Sequence, residues 1–146
     1  MKSWRLASVI AVGVALVLAW WRFEYLVPSG LARQLASASR GAQTIDLAQL
    51  TDFEWDRVVL LGPYTSQADA ERALGMPWPE YPLLGLESAD SFSLIAFANG
   101  ARLARVERVD RCRPDFSASL LARPIARADG RFRFEMRNGC ATMVPA

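Results

Sequence analysis

The pattern of apolar and polar positions states a structure most clearly between Glu54 and Gly75. Val58 to Leu61 is an unbroken β-branched and aliphatic run with acidic residues before it and Gly62-Pro63 after it, which predicts a strand covered on both faces. Pro63 offers no ladder hydrogen bond and pre-sets a turn, so the strand should end at Leu61 or Gly62. Ser66 and Asp69 then form an S-x-x-D cap, Ala70, Ala73 and Leu74 share one helical face, and Gly75 suits the left-handed position past the helix end.

A hairpin follows. Ser91 to Ala98 and Ala101 to Val109 are joined by Asn99-Gly100, a pair that suits both positive-φ places of a type I′ turn. A two-residue register would set Ala98 opposite Ala101 and Ile95 opposite Ala104. Arg102, Arg105 and Arg108 recur every third residue, yet the turn favours a strand in which they are solvated edge charges. Phe116 to Leu121 and Arg131 to Met136 are further strands. In the second, Phe132, Phe134 and Met136 should face inward and Arg131, Arg133 and Glu135 outward, between turns at Asp129-Gly130 and Asn138-Gly139. Ile45-Asp46-Leu47 fits either a short edge strand or a helical turn running to Leu50. Pro77, Pro79 and Pro82, interleaved with Trp78 and Tyr81, predict an extended loop from Met76 to Leu86.

The N-terminus adds a membrane signal. Leu6 to Trp21 carries no charge and is framed by Trp4, Trp20, Trp21 and Tyr25; its sixteen residues span about 24 Å as a helix, close to the bilayer core. A cleaved secretory signal ending at Val17-Leu18-Ala19 is the competing reading, but bulky Trp20-Trp21 directly after Ala19 fits an interfacial belt better. The expected fold is therefore α+β: one N-terminal transmembrane helix (1–27), a juxtamembrane linker or loose helix (28–44), and a small two-layer domain (45–146) with an antiparallel sheet of about five strands and one short helix.

Composition narrows function mainly by exclusion. The chain has 146 residues, 52% of them hydrophobic, and a net charge of +2, too small to call for nucleic acid. Four arginines face nine acidic residues between Pro28 and Asn99, whereas ten face five from Gly100 onward, so the two halves neutralise each other within one domain. With no His, neither a Ser-His-Asp nor a Cys-His pair exists, and no Gly-rich phosphate loop is present. No catalytic, cofactor or metal residues are predicted. Glu54 and Asp56 would share a strand face but read as a solvated strand start or an ion pair with Arg57. Asp56 and Tyr64, at strand and turn ends, and Trp78 and Tyr81, in the proline-rich loop, are the candidate interaction residues, with buried hydrogen bonding or packing as the alternative for each.

Cys112 and Cys140 are the only cysteines. A bond between them would close a loop of about 28 residues and place the domain in an oxidising compartment, the bacterial periplasm; two separate buried thiols are the alternative. Lys2 and Arg5 are nearly balanced by Arg22, Arg33 and Arg40, so flanking charge alone leaves the orientation open.

Trp55-Asp56-Arg57-Val58, then Pro63-Tyr64-Thr65-Ser66 leading into a helix that ends Leu74-Gly75, then a hairpin turning at Asn99-Gly100, resembles a group of small envelope proteins that includes prophage-borne inner-membrane lipoproteins of enteric bacteria. The likeness covers Phe53 to Phe116. It implies a periplasmic domain tethered to the inner membrane and connected with envelope stress, and it carries over no catalytic residue. This chain departs from the lipoproteins by having an apolar span where they have a lipidated Cys. The expected role is a binding or structural module of the inner membrane, single-pass with the C-terminal domain in the periplasm and an envelope protein as partner; an accessory subunit of a larger membrane complex and a cleaved, secreted protein are the alternatives.

Overall fold

The computed structural model describes residues 29–41 and 43–146. The expected transmembrane helix over 1–27 lies outside them, and among the described residues no helix is long and apolar enough to cross a membrane.

In chain order the elements are helix α1 (Gly30–Arg40), strand β1 (Ile45–Asp46), the one-turn helix α2 (Leu47–Leu50), β2 (Arg57–Leu61), helix α3 (Gln67–Leu74), β3 (Phe92–Asn99), β4 (Arg102–Asp110), β5 (Asp115–Phe116), β6 (Pro124–Ala126), β7 (Arg131–Arg137) and β8 (Cys140–Pro145). They form two four-stranded sheets rather than one sheet of about five strands, with orders β1-β7-β8-β5 and β4-β3-β2-β6. The expected two-layer α+β domain with a single helix is thereby corrected. Two of the added strands, β1 and β5, are two residues long and β6 is three, too short to leave a periodic trace. The pairing of β5 with β8 is parallel, so the sheet that contains it is mixed.

The central strand β2 explains why a second sheet is required. Val58, Val59, Leu60 and Leu61 are all fully buried, so both of its faces need a cover. Val58 and Leu60 join Ile95 and Phe97 of β3 in a core that includes Phe132, Phe134 and Met143 of the other sheet. Val59 and Leu61 join Leu94 and Ala96 beneath α3, Trp78, Tyr81 and Leu86. The β2-β3 pair is the middle layer of the molecule.

The stretch expected as a linker or loose helix is helical and contributes to that core. Ser29 caps α1 by accepting from the Ala32 amide at 3.0 Å, and Leu31, Ala32 and Leu35 are buried in the inter-sheet cluster, so α1 is a packed element and not a spacer. Asp46 does both jobs left open for its segment: it belongs to β1 and accepts from the Ala48 amide as the cap of α2.

At α3 the helix signals are met. The Ser66 hydroxyl accepts from the Asp69 amide at 3.1 Å and donates to the Asp69 carboxylate at 2.8 Å, and Gly75 takes φ 74°, a left-handed conformation that glycine adopts without strain. The proline-rich stretch is not extended. It winds into 3₁₀ turns at Tyr81–Leu84 and Leu86–Ser88, the first begun by Pro82, whose fixed φ suits a helical start.

The hairpin register is one place off the expected one. Gly100 alone takes positive φ, 58°, so the turn residues are Gly100 and Ala101 and the flanking pair is Asn99 with Arg102. Ala98 then faces Leu103, and a bulge at Ala104 shifts the ladder so that Phe97 faces Arg105 and Ile95 faces Glu107. In β7, Phe132 and Phe134 are buried as expected, but Met136 is 70% exposed. It stands next to the turn after Arg137, paired with Ala141 of β8. The expected strand over Phe116 to Leu121 is only Asp115–Phe116 followed by a 3₁₀ turn at Ala118–Leu120.

Candidate functional site

Four residues carried the expectation of an interaction surface, and the fold divides them. Trp78 is 4% exposed and Tyr81 fully buried, their rings edge-to-face at 5.0 Å; both are core beneath α3 and not a surface. The Tyr81 hydroxyl donates to the Thr65 carbonyl at 2.8 Å, and burial, with Glu87 and Asp69 nearby, raises its pKa. The Trp78 amide donates to the Glu71 carboxylate at 2.7 Å; that bond, followed by one from Gln67, holds the Glu71 pKa below its ordinary value. The loop is stitched to α3 from within.

Asp56 reaches solvent but is already engaged. One carboxylate oxygen accepts from the Gly100 amide at 2.6 Å and the other from Arg57 at 2.8 Å, and these bonds, the Gly100 amide first, lower its pKa. Arg57 in turn donates to the Leu74 carbonyl at the end of α3 and to the Gly100 carbonyl. Asp56 and Arg57 thus clamp the β3-β4 turn to the end of α3. Among the sequence candidates this pair has a structural role.

Tyr64 is different. It follows the Gly62-Pro63 break, takes φ 62°, and is 61% exposed. A bulky residue in the left-handed region is costly and persists where its surroundings enforce it. Here the Tyr64 amide donates to the Leu86 carbonyl at 3.0 Å, while the next residue, Thr65, bonds the Gly62 carbonyl through both its amide and its hydroxyl. Leu83, 83% exposed, stands on the 3₁₀ turn just before Leu86. Two large apolar side chains are therefore held outward on adjoining turns, at the end of the β2 sheet where β2 finishes.

At the same end Arg111 makes a two-pronged contact with Asp115, at 2.8 and 3.1 Å, and also reaches the Asp90 carbonyl. The Arg111 pKa is raised, first by its bond to Asp115, with smaller effects from Asp90 and Tyr64. Burial pushes the Asp115 carboxyl up, but the bonds from Arg111 and from the Cys112 amide outweigh it, so its pKa is lowered. Cys112 and Cys140 are bonded to each other with Cα atoms 4.7 Å apart, joining the end of β4 to the start of β8 and so one sheet to the other. Asp115 lies within reach of both sulfurs, but with the sulfurs bonded to each other only its carboxylate is a metal donor.

Arginine is the residue type whose roles were missed. Arg105 stacks over Phe53 at 4.5 Å, Arg108 over Phe92 at 4.1 Å and Arg127 over Trp55 at 4.9 Å, each closing an edge of the core with a guanidinium plane. The three-residue spacing of Arg102, Arg105 and Arg108 was the one available signal. A shallow groove of about 320 Å³ between α1 and α2 is lined largely by uncharged polar side chains, Gln34, Ser37, Gln43, Thr44 and Gln49. Its one carboxylate, Asp46, is engaged by the Ala48 amide and by Arg131. Comparison of the chain with protein-family models, with curated proteins and with solved structures gives no match, so the site stands on its own geometry.

Proposed function

We propose that this protein is a membrane-anchored module of the bacterial envelope whose folded domain lies in the periplasm and works by binding a protein partner rather than by catalysis. The observation that carries the binding role is Tyr64, held outward in a strained left-handed conformation and hydrogen-bonded through its amide to Leu86, with Leu83 exposed on the 3₁₀ turn that precedes Leu86. Backbone strain of about 1–3 kcal/mol is retained where a function uses the side chain it presents, and an aromatic ring beside a leucine is the composition of an interface anchor. The Cys112–Cys140 bond supports the oxidising compartment. The apolar run Leu6 to Trp21 supports the anchor, and the resemblance over Phe53 to Phe116 supports the envelope setting.

The experiment places a photo-crosslinking amino acid at position 64 or, as a control, at exposed Asp129 in living cells. A discrete adduct from position 64 alone is expected; equal or absent crosslinking at the two positions would refute the binding surface. A periplasm-active reporter fused after Ala146 tests the compartment independently, and an inactive fusion would overturn it. Tyr64→Gly separates strain from recognition: it should leave the domain as stable or up to about 2 kcal/mol more stable while abolishing the adducts formed by a second probe at Leu83.

A further inference from the structure

α1 carries Arg33 and Arg40 seven residues apart on its exposed side and has no acidic residue. It packs against β4 and equally against β8 of the other sheet, and its Leu31 and Leu35 join the same core cluster as Ile95, Phe97 and Val109. Register puts Arg105 opposite Phe97, so the face of β4 turned toward α1 is the one that carries Arg102 and Arg105. Arg102 is exposed, and half of the Arg105 side chain is accessible above the Phe53 ring. The acidic residue on that face, Glu107, is 5% exposed and 3.9 Å from Arg105, so it presents little charge to solvent. Four accessible arginines are thus carried on two elements that pack together, with Asp46, in the groove beside α1, and Asp52 and Glu54, which flank Phe53 in sequence, as the acidic residues near them.

The chain itself decides how close this side is held to a bilayer. Only residues 22–28 separate the apolar run from the α1 cap at Ser29, because the stretch that looked like a spacer is folded into the core. Eight Cα steps reach at most about 28 Å. A domain of this size has a radius of gyration of about 13 Å and is about 35 Å across, so the tether is shorter than the body it holds. Within about a Debye length of an anionic surface each arginine is attracted, and α1, where the tether enters, carries two of the four.

We propose that the α1–β4 side, through Arg33, Arg40, Arg102 and Arg105, docks on the anionic phospholipid headgroups of the bilayer that anchors the chain, leaving the Tyr64 end free for a partner. This rests on the reading of Leu6 to Trp21 as an anchor, and the two are tested separately. The full chain is reconstituted into nanodiscs of phosphatidylcholine, with or without phosphatidylglycerol, and hydrogen exchange is followed over Gly30–Arg40 and Arg102–Asp110. Exchange in both segments should be at least about threefold slower in the anionic discs. High salt and the R33Q/R102Q variant should each abolish the difference, and the Arg131–Arg137 segment should be unaffected by lipid. Native protection of β2 and β3 in the variant shows that it is folded, and the salt arm needs no variant. Carbonate washing of cell membranes tests the anchor: release of the protein overturns both the anchor and the docking. Retained protein whose two segments exchange alike in both kinds of disc overturns the docking alone.

Discussion

Removing the Arg57 guanidinium should be among the most damaging single changes outside the apolar core. Its side chain is 23% exposed, and it donates to the Leu74 carbonyl through Nε at 3.0 Å and Nη2 at 2.7 Å and to the Gly100 carbonyl at 2.9 Å. Leu74 ends α3, so the charge also meets the negative end of that helix, an effect of about 0.3–1 kcal/mol. Hydrogen bonds to a charged group contribute about 1.5–3 kcal/mol each when buried. Partial exposure argues for the low end, and the half-exposed Asp56 pair adds little. Arg57→Met keeps the aliphatic stem and should therefore cost about 2–4 kcal/mol, a large share of the ~5–15 kcal/mol that holds a domain together. With a urea slope of about 1–3 kcal/mol per molar, the unfolding midpoint should fall by about 1–2 M. Arg57→Lys keeps the charge but not the planar fork and should lose about half as much. A midpoint for Arg57→Met within about 0.5 kcal/mol of the parent, or a lysine variant indistinguishable from it, would show that the clamp is not stabilising.

Three further outcomes are expected. Reducing Cys112–Cys140, or replacing both cysteines by serine, releases a 28-residue loop and should lower stability by about 3–4 kcal/mol in the chain-entropy treatment; equal denaturation midpoints with and without reductant would contradict this. Ser66→Ala removes the cap of α3 and should cost about 0.5–2 kcal/mol by urea denaturation, an unchanged midpoint being the adverse result. For pH, Asp56, Asp69, Glu71, Asp115 and Glu135 all have folded-state pKa values below their ordinary 3.8 or 4.5. Their stabilisation is thus fully present above those values and lost as pH falls through the lower, folded-state ones. With no His in the chain, the midpoint should be flat from about pH 8 to about pH 6 and fall below about pH 4; a rise on acidification would reverse the sign.

Signals confined to a few neighbouring residues determined the parts that could be read directly. Pro63 stops β2, Ser66 and Asp69 start α3, and Gly75 ends it, because each acts through its own backbone geometry or on an amide three residues away. The Cys112–Cys140 bond was legible for a different reason: with two cysteines only one intramolecular pairing exists. The apolar run Val58 to Leu61 of β2 already demanded cover on both faces, but what covers it was hidden. The second sheet is completed by strands of two residues, and those gain their hydrogen bonds from partners more than twenty residues away.

The hairpin shows how tertiary packing overrules local spacing. Leu103, Val106 and Val109 recur every third residue, which a period-two strand cannot place consistently. The bulge at Ala104 lets Leu103 and Val106 both pack toward the α3 layer while Val109 enters the inter-sheet core, at the expense of burying Glu107. Likewise Tyr64, at a turn end, and Trp78 and Tyr81, in the proline-rich loop, were all candidates for an exposed surface. Only their packing with Ala70, Ala73 and Leu74 of α3 put Trp78 and Tyr81 inside, while Tyr64 stayed exposed. The sequence by itself determined caps, stops and the cysteine pair, because those forces act over one turn of chain; burial, register and the arginine clamps came from surfaces that meet only in the folded molecule.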